Sequence, residues 1–375
     1  MSDYNNYPRG TWLEVDLLQL KDNVRILKDT AGTDILVVVK GNAYGHGLIP
    51  CARAAVAAGA RMIGIATISE GALLRKAGVK TDILRLTAYL PEEIQHMVEN
   101  DIACIAWTKH QVEVFQKQAE ACNKVHNVHL KVDTGMGRVG VFPEHALEIA
   151  QYIVKQPHLH LEGVCSHFHS AEATPETSEK QMAKFEDVLT VLKKHSVKPE
   201  LIHLANSRGL LKFKEARYNM VRSGVVTYGL PYADDFALPE GIGPVAEWKA
   251  RIVSLRQLPK GHVVSYGGQY TTKRDSEKIA IIPVGYVDGL HRFPRDVNEV
   301  LINGRILKTV GRICMDQTHI SIPEDMDVRE GDEVVILGTQ GGREITSLDI
   351  AQRWGTNKYD VLVGIHERVP RVYKT

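Results

Sequence analysis

The sequence predicts an α/β protein, a (β/α)8 TIM-type barrel followed by a mainly β C-terminal domain. Between residues 35 and 221, eight short apolar runs alternate with longer amphipathic segments. Successive runs are spaced by roughly 20 to 40 residues, which fits a closed barrel of strand–helix units better than an open sheet. The segment 238–244 is rich in Gly and Pro and indicates a linker, after which the pattern changes to short strands and turns.

The predicted barrel covers residues 13–240. Its expected strands are residues 35–39, 62–66, 83–86, 103–106, 128–132, 159–165, 201–204 and 219–221. The amphipathic segments between them are expected to be helices, at residues 48–58, 68–77, 91–100, 108–122, 143–154, 177–195 and 208–213.

The predicted second domain covers residues 241–375, and residues 1–12 could join it. Residues 11–16 alternate like a strand before the first barrel helix, so they could pair with either domain. The other expected strands are residues 248–255, 278–282, 300–307, 318–322 and 333–337. Residues 346–354 look helical, with Thr346 or Ser347 as the N-terminal cap.

Composition limits the classes of function. The formal net charge of 375 residues is +1, so nothing in it favours binding to nucleic acid or to an anionic membrane surface. The polar start of the sequence, with Pro8, does not fit a signal peptide, and no run approaches the roughly 18 apolar residues of a membrane helix. Five scattered cysteines without a CxxC pair indicate free thiols. We therefore expect a cytoplasmic protein.

Lys40 ends the first apolar run and is the first candidate for chemistry. Val37, Val38 and Val39 suit a strand buried on both faces. Three glycines within the next seven residues indicate a tight turn directly after the lysine. A poorly solvated lysine has a lowered pKa, which makes its amine available for Schiff-base chemistry. The alternative is a lysine whose ammonium extends from the strand end to solvent.

Other polar residues also follow the predicted strands, where (β/α)8 barrels place their chemistry. They are Lys131 with Asp133, Arg138 one turn later, His167, Asn206 with Ser207, and Arg222. The loops after strands seven and eight commonly bind phosphate in this fold, so Ser207, Gly224 and Val225 are candidates to donate hydrogen bonds to a phosphate group. The alternative is that these three are ordinary turn residues.

Residues 135–140 match the dinucleotide fingerprint GxGxxG, but we reject that interpretation. Arg138 lies inside the match and the next helix is expected only at Pro143. A glycine-flanked arginine fits a guanidinium held close to a phenolate or carboxylate. The 16 histidines show no metal-binding spacing, so no metal site is expected. His167 is the only histidine assigned to the site, and the others are expected to be surface or core histidines.

Three Gly-bounded turns of the second domain carry polar or aromatic residues. They contain Tyr266, Tyr286, and the run Arg312-Ile313-Cys314-Met315-Asp316. A single tyrosine of this kind is more often structural than catalytic. Three such turns in one small domain favour a shared surface.

Together these strings closely resemble the alanine racemases, pyridoxal-phosphate enzymes of fold-type III, over nearly the whole chain. The resemblance rests on residues 39–47, 131–140, 166–168, 206–207, 222–224, 264–267, 285–289, 311–316 and 368–371. It implies racemisation of alanine, in a homodimer whose active sites lie at the subunit interface, supplying D-alanine for peptidoglycan.

The resemblance also implies residue roles. Lys40 would be the Schiff-base lysine and Tyr266 the second base, contributed by the partner subunit. The cofactor phosphate would be held by Tyr44, Ser207, Gly224, Val225 and Tyr359, and Arg222 would face the pyridine nitrogen. Arg138 would contact the phenolic oxygen of the cofactor and the substrate carboxylate, and Lys131, which is often carbamylated in the family, would position Arg138. Met315 would contact the substrate, His167 and Asn206 would lie near the cofactor, and Cys314 and Asp316 would support the site. The entry corridor would be lined by Glu172, Tyr286, Arg292 and Arg312.

Some positions depart from the family pattern. They are Gly41, where alanine is common, His169, where a small residue is usual, and the segments 223–227 and 248–256. These departures concern substrate breadth and the corridor more than the chemistry. A broad-specificity or serine-preferring racemase therefore stays open, as do a barrel-type decarboxylase and a non-catalytic protein that binds the cofactor.

Overall fold

The computed structural model describes residues 8–169, 175–231, 237–294 and 298–375. They group into two compact units. The barrel unit comprises residues 19–43 and 48–243, and the β unit comprises residues up to 18, 44–47 and 244–375. The division after residue 243 lies close to the expected boundary at 240, but residues 13–18 and 44–47 group with the β unit although the sequence predicted them in the barrel.

The barrel unit contains the predicted parallel strands. In chain order they are Asp34–Val38, Met62–Ile65, Asp82–Arg85, Ile102–Ala106, His126–Lys131, Leu159–Cys165, Leu201–His203 and Met220–Ser223. Strands one to seven pair in sequence, and strand eight pairs with strand one. The Arg222 N–H donates to the Ala205 oxygen at 3.0 Å, which links the eighth strand to the segment after the seventh. The predicted barrel fold is confirmed.

Burial and capping explain these elements. Four of the five residues of Asp34–Val38 are buried, as expected for a strand with apolar layers on both faces. The first helix is Leu17–Ala31, which belongs to this unit from Gln19 onward. The other helices of the unit are Leu48–Ala57, Ile68–Lys76, Ile94–Glu99, Lys109–Ala121, Ala146–Val154, Pro175–Lys194 and Ser207–Lys212. Thr67 and Thr108 start two of them with capping boxes, which satisfy amides that have no partner within the helix.

The β unit is built around one mixed sheet. In sheet order its strands are Ser254–Pro259, Ser276–Ile282, Thr318–Ile322, Arg305–Val310, Glu299–Ile302, Glu333–Gln340, Ala246–Arg251, Thr11–Asp16 and Arg371–Lys374, with Arg343–Ile345 paired to Glu333–Gln340. Val263–Val264 and Tyr270–Thr271 form a separate hairpin. The helices are Ser347–Trp354, capped by Thr346, which is one of the two predicted caps, and Lys358–Val363. Among the described residues no helix is long and apolar enough to span a membrane.

Two strand predictions in the β unit are wrong. Residues 300–307 form a hairpin rather than one strand, because Asn303 and Gly304 adopt φ values of 49° and 72° and reverse the chain. Residues 248–255 belong to two strands rather than one, because the backbone changes its hydrogen-bond partner between them. The Ile252 N–H donates to the backbone oxygen of Asp332, and the Val253 N–H donates to that of Ile281. Strand Thr11–Asp16, whose partner the sequence left open, pairs with Ala246–Arg251.

Candidate active site

Lys40 lies directly after the first barrel strand, at the start of an unusual turn. Gly41, Asn42, Ala43 and Tyr44 all have left-handed φ values, between 52° and 63°. The turn is fixed by two hydrogen bonds, from the Ala43 N–H to the Val39 oxygen at 2.7 Å and from the Gly41 N–H to Glu70 Oε1 at 2.7 Å. The lysine at this strand end is therefore held on a rigid backbone.

The environment of Lys40 favours its neutral amine. Burial lowers the pKa of Lys40, and the positive charge of Arg138 lowers it further, while Glu70 acts in the opposite direction. Desolvation and a neighbouring cation both disfavour an ammonium. Lys40 is thus a more available nucleophile and base than a lysine at the surface.

Lys131 ends the fifth barrel strand and is almost completely buried, with 5% of its surface exposed. Burial lowers its pKa from 10.5 to about 8, and Arg222 and Arg138 lower it too, against the opposing effects of Cys165 and Asp133. Lys131 and Arg138 therefore belong to one positively charged cluster, and Arg138 itself is exposed.

The glycine-rich loop 135–140 wraps around a carboxylate of the chain itself. Asp133 Oδ1 accepts hydrogen bonds from the amides of Gly135, Met136 and Gly137 at 2.8 to 3.1 Å. At Gly140 a Cβ atom would lie 2.6 Å from the Asp133 nitrogen, so that position requires glycine. Because these amides already hold Asp133, the loop has no free phosphate cradle of the dinucleotide type.

The loops after strands seven and eight are joined by a hydrogen bond. The Gly224 N–H donates to Ser207 Oγ at 2.8 Å, and both residues are buried. Val225, with 7% of its surface exposed, begins the next turn. Asn206 caps the helix that starts at Ser207, because its Oδ1 accepts from the Gly209 N–H at 3.0 Å. Ser207, Gly224 and Val225 thus lie together as the sequence predicted, while Asn206 fixes the helix start.

Arg222 is buried near His167 at the end of strand eight. Its Nη2 lies 3.0 Å from His167 Nδ1, and its guanidinium also donates to three backbone carbonyls. Burial lowers the pKa of His167 well below its usual value, and the charge of Arg222 contributes. His167 is therefore neutral, and its Nδ1 accepts a hydrogen bond from Arg222.

Within the β unit, the three Gly-bounded turns contact one another through their backbones. Ser265 Oγ donates to the Arg312 oxygen at 2.6 Å, which joins the turn of Tyr266 to the loop 311–316. The Tyr286 N–H donates to the Cys314 oxygen at 3.1 Å and the Val287 N–H to the Met315 oxygen at 3.2 Å. The three turns therefore form the shared surface that the sequence favoured.

Ion pairs hold this surface in place. Arg368 binds Asp288 at 3.1 Å and Asp316 at 2.8 Å, and so links the turn of Tyr286 to the loop of Met315. Asp288 Oδ2 in turn accepts from the Gly285 N–H at 2.9 Å. Asp316, predicted as a supporting residue, acts in this way through Arg368.

Several predicted residues stand exposed on the β unit. Tyr266 exposes 66% of its surface, Met315 52% and Tyr286 39%. Arg292 lies with its guanidinium carbon 5.6 Å from the centre of the Tyr286 ring, and the guanidinium of Arg312 lies over Gly267. Glu172, predicted in the same corridor, lies outside the described residues.

Tyr44 and Tyr359 belong to the β unit and influence each other electrostatically. Burial, with a smaller contribution from Tyr359, raises the pKa of Tyr44 to about 12. Asn357 caps the helix of Tyr359 by accepting from the Tyr359 and Asp360 amides at 3.0 Å. The Tyr44 hydroxyl is therefore protonated and able to donate a hydrogen bond.

Three buried residues in contact with this site were missed from the sequence. His203 Nδ1 lies 2.9 Å from Arg222 Nη1. His203 Nε2 lies 2.8 Å from His129 Nδ1, and His129 Nε2 lies 2.8 Å from Glu162 Oε2. From the sequence, the two histidines were expected to be surface or core residues outside the site. The available signal was strand alternation, because His129 lies two residues before Lys131 and so faces the same side of the strand.

Comparison with known proteins agrees across the chain. Residues 15–231 match the family "Alanine racemase, N-terminal domain" and residues 245–373 match "Alanine racemase, C-terminal domain". An alanine racemase of Symbiobacterium thermophilum is 39% identical over 97% of both chains, and one of Halothermothrix orenii is 39% identical over 98% of this chain and 97% of its own.

Solved structures give the same result. An alanine racemase of Clostridium difficile superposes with a TM-score of 0.92 at 32% identity, covering 97% of this chain and 96% of that one. The alanine racemase of Bacillus anthracis with bound L-Ala-P superposes with a TM-score of 0.90 at 34% identity, covering 98% and 96%.

Proposed function

This chain belongs to the alanine racemase family and is an amino-acid racemase, and from that premise we propose that it interconverts L-alanine and D-alanine with pyridoxal 5'-phosphate and two bases, Lys40 and Tyr266. The observation that carries the proposal is the half-buried Lys40 amine with its lowered pKa, next to a cluster of cations at the barrel's strand ends.

The residues at these strand ends fit the phosphorylated cofactor. Lys40, Lys131, Arg138 and Arg222 influence one another or His167 electrostatically, and all four carry or can carry positive charge. The carboxylate of Asp133 is already held by backbone amides. A ligand with phosphate, phenolate and carboxylate groups supplies the negative charge that this cluster lacks. The Ser207 hydroxyl proton and the Val225 amide suit the phosphate, while the Gly224 amide holds Ser207 in place by donating to its Oγ.

Bound pyridoxal phosphate supplies the electron sink that makes the Cα proton of alanine acidic. Racemisation then requires proton removal on one face of Cα and delivery on the other, which two opposed groups accomplish without moving. Lys40 anchors the cofactor and serves one face of Cα. Tyr266 serves the other face, and Arg138 and Met315 bind the substrate.

Arg222 limits side reactions in this proposal. A guanidinium keeps its proton, so Arg222 would donate a hydrogen bond to the pyridine nitrogen of the bound cofactor without protonating it. Arg222 would thereby leave the cofactor a weaker electron sink than a carboxylic acid in its place would. Proton exchange at Cα is therefore favoured over transamination.

We place Tyr266 and Met315 in the active site of the partner subunit of a homodimer. Their exposure, together with that of Tyr286, supports this, because large exposed apolar groups mark contact surfaces. The cellular role that goes with this function is cytoplasmic supply of D-alanine for peptidoglycan.

The test begins with the purified protein. We expect absorbance at about 420 nm from bound cofactor, and interconversion of L- and D-alanine faster than of serine or lysine. Tyr266→Phe should keep the absorbance but lose activity by ~10²–10⁴-fold. Tyr152→Phe, in a helix of the barrel unit, is the control and should retain full activity.

Mixing two inactive variants tests the shared site. Dimers that combine Lys40→Ala with Tyr266→Phe contain one site with both intact residues, so random mixing should restore about a quarter of wild-type activity. If Tyr266→Phe keeps its activity, Tyr266 is not the second base. If mixing restores nothing, the two residues act within one subunit.

A further inference from the structure

A buried chain of hydrogen bonds runs from Arg222 through the barrel interior to a carboxylate. Arg222 Nη1 lies 2.9 Å from His203 Nδ1, His203 Nε2 lies 2.8 Å from His129 Nδ1, and His129 Nε2 lies 2.8 Å from Glu162 Oε2. The two histidines are completely buried, and Arg222 and Glu162 are each 5% exposed. Nothing in the two-base mechanism uses His203, His129 or Glu162.

The donors fix the direction of this chain. A guanidinium only donates, so His203 Nδ1 accepts and the neutral imidazole carries its proton on Nε2. That proton is donated to His129 Nδ1, which places the proton of His129 on Nε2, directed at the Glu162 carboxylate. Every bond of the chain therefore points from Arg222 towards Glu162.

The charges agree with this direction. Burial lowers the pKa of His203 well below its usual value, and Arg222 contributes, so His203 is neutral. Burial acts to raise the pKa of Glu162, but the hydrogen bond from His129 and nearby positive charge outweigh it and lower the pKa. Asn127 Nδ2 also donates to Glu162 Oε1 at 3.1 Å. The chain thus has a cation at one end and a carboxylate at the other.

The guanidinium of Arg222 is almost fully occupied. Nη1 donates to His203 Nδ1 and the His203 oxygen, and Nη2 faces the Ser166 oxygen, the Leu204 oxygen and His167 Nδ1, all within 3.0 Å. Among the residues that the structure describes, neither a partner for Nε nor a carboxylate in contact with the guanidinium is present. Nε is therefore the one donor left for a ligand.

We propose that His203, His129 and Glu162 are positioning residues that fix the rotation of the Arg222 guanidinium, so that its Nε–H is directed at the pyridine nitrogen of the cofactor. The inference rests on the proposed use of pyridoxal phosphate. The two imidazoles also keep the counter-charge of Glu162 away from the guanidinium. A carboxylate in direct contact would form a bidentate pair with Arg222 and use up its donors.

The test compares two ligands that differ only at the pyridine nitrogen. Cofactor-free protein is titrated with pyridoxal phosphate and with 1-deazapyridoxal phosphate, in which a C–H group replaces that nitrogen. We expect the wild type to prefer pyridoxal phosphate by about tenfold or more, the size of a hydrogen bond from a charged donor. Glu162→Gln removes the charge with little change in size, and His129→Gln interrupts the chain.

The matched control is His126→Gln. His126 is a buried histidine of the same strand as His129, but it stacks on Phe115 at 5.3 Å and is not part of the chain. We expect Glu162→Gln to reduce the preference at least about threefold and His129→Gln to abolish it, because Nε is no longer aligned. His126→Gln should keep the wild-type preference even if its thermal stability falls.

The outcomes separate this inference from the proposed function. If Glu162→Gln weakens both ligands equally, or leaves the preference unchanged, the chain is only structural and the inference is wrong, while the proposed function stands. If the wild type binds pyridoxal phosphate but shows no preference over the deaza analogue, Arg222 does not contact the nitrogen and the inference fails with that contact. If the wild type does not bind pyridoxal phosphate, the proposed function fails.

Discussion

Replacing Lys131 by methionine should stabilise the protein at neutral pH. Lys131 carries a buried ammonium for which the structure shows no hydrogen bond or ion pair within the described ranges, and two arginines are near it. Burying an unpaired charge costs free energy, and methionine fills a similar volume without the charge. The substitution therefore removes a cost from the folded state.

The size and sign of the effect follow from the pKa of Lys131. It falls from 10.5 to about 8 on folding, which corresponds to about 3 kcal/mol. Below about pH 8 the ammonium is present in both states and the whole cost applies. Between about pH 8 and pH 10.5 the folded protein binds fewer protons than the unfolded chain, so the free energy of unfolding rises with pH. The advantage of Lys131→Met should therefore reach about 3 kcal/mol near pH 7 and vanish near pH 10.5.

The assay is urea denaturation of the cofactor-free protein at about pH 7 and about pH 10, in buffer depleted of carbon dioxide. Lys249→Met is the control, because Lys249 is also buried but is paired with Glu14 at 3.0 Å and Glu247 at 2.9 Å. Burial acts to lower its pKa, but these hydrogen bonds outweigh it and raise the pKa, so Lys249→Met should destabilise at pH 7. An advantage of Lys131→Met that is equal at both pH values would refute the reasoning.

Three further predictions concern other parts of the chain. Arg222→Glu should increase transamination, because a carboxylic acid can protonate the pyridine nitrogen; unchanged pyruvate formation from alanine would contradict this. Ser207→Ala should weaken binding of pyridoxal phosphate about tenfold more than binding of pyridoxal, because it removes the hydroxyl proposed to meet the phosphate and leaves the Gly224 N–H without its acceptor. Gly304→Ala should lower the free energy of unfolding by about 1 kcal/mol or more in urea denaturation, because its φ of 72° disfavours a side chain and a Cβ there would lie 3.2 Å from Gly341 Cα. Gly342→Ala, at φ 77° with no neighbour near its Cβ, is the control for backbone strain alone and should lower it less.

The sequence was sufficient to predict the barrel and the residues at its strand ends. Apolar runs of β-branched residues can be recognised one at a time, and the barrel geometry places the ends of all its strands at one mouth. Ser207 and Gly224 could therefore be predicted as neighbours, and they are hydrogen bonded at 2.8 Å. Such predictions depend on the position of each residue within its own element.

The chain from Arg222 to Glu162 could not be predicted in that way. It depends on which side chains meet inside the barrel, and its members come from strands five to eight. The register between strands five and six shifts at Val128/His129, where the regular alternation is interrupted. Sequence alternation places His129 and Lys131 on one face, but the structure was needed to show the partners of His129.

The left-handed backbone conformation of the turn after Lys40 also could not be predicted, and it costs free energy that other contacts must offset. For residues other than glycine, left-handed helical backbone costs about 1–2 kcal/mol per residue. Asn42 tolerates this conformation well, and its Oδ1 accepts from the Leu48 N–H at 2.8 Å. Ala43 and Tyr44 lack that chemistry, so the turn stores about 2–4 kcal/mol that other contacts must offset.

Glu70 supplies one of the contacts that hold this turn. Its Oε1 accepts from the Gly41 N–H at 2.7 Å, and its Oε2 accepts from the amides of Ala66 and Thr67 at 2.9 and 3.1 Å. The carboxylate that caps the helix Ile68–Lys76 therefore also fixes the backbone beside Lys40. Since alanine at position 41 would add about 1 kcal/mol of left-handed strain, Gly41 lowers the cost that Glu70 has to offset. The position of the Lys40 amine thus depends on the second barrel strand and its helix as well as on the first strand.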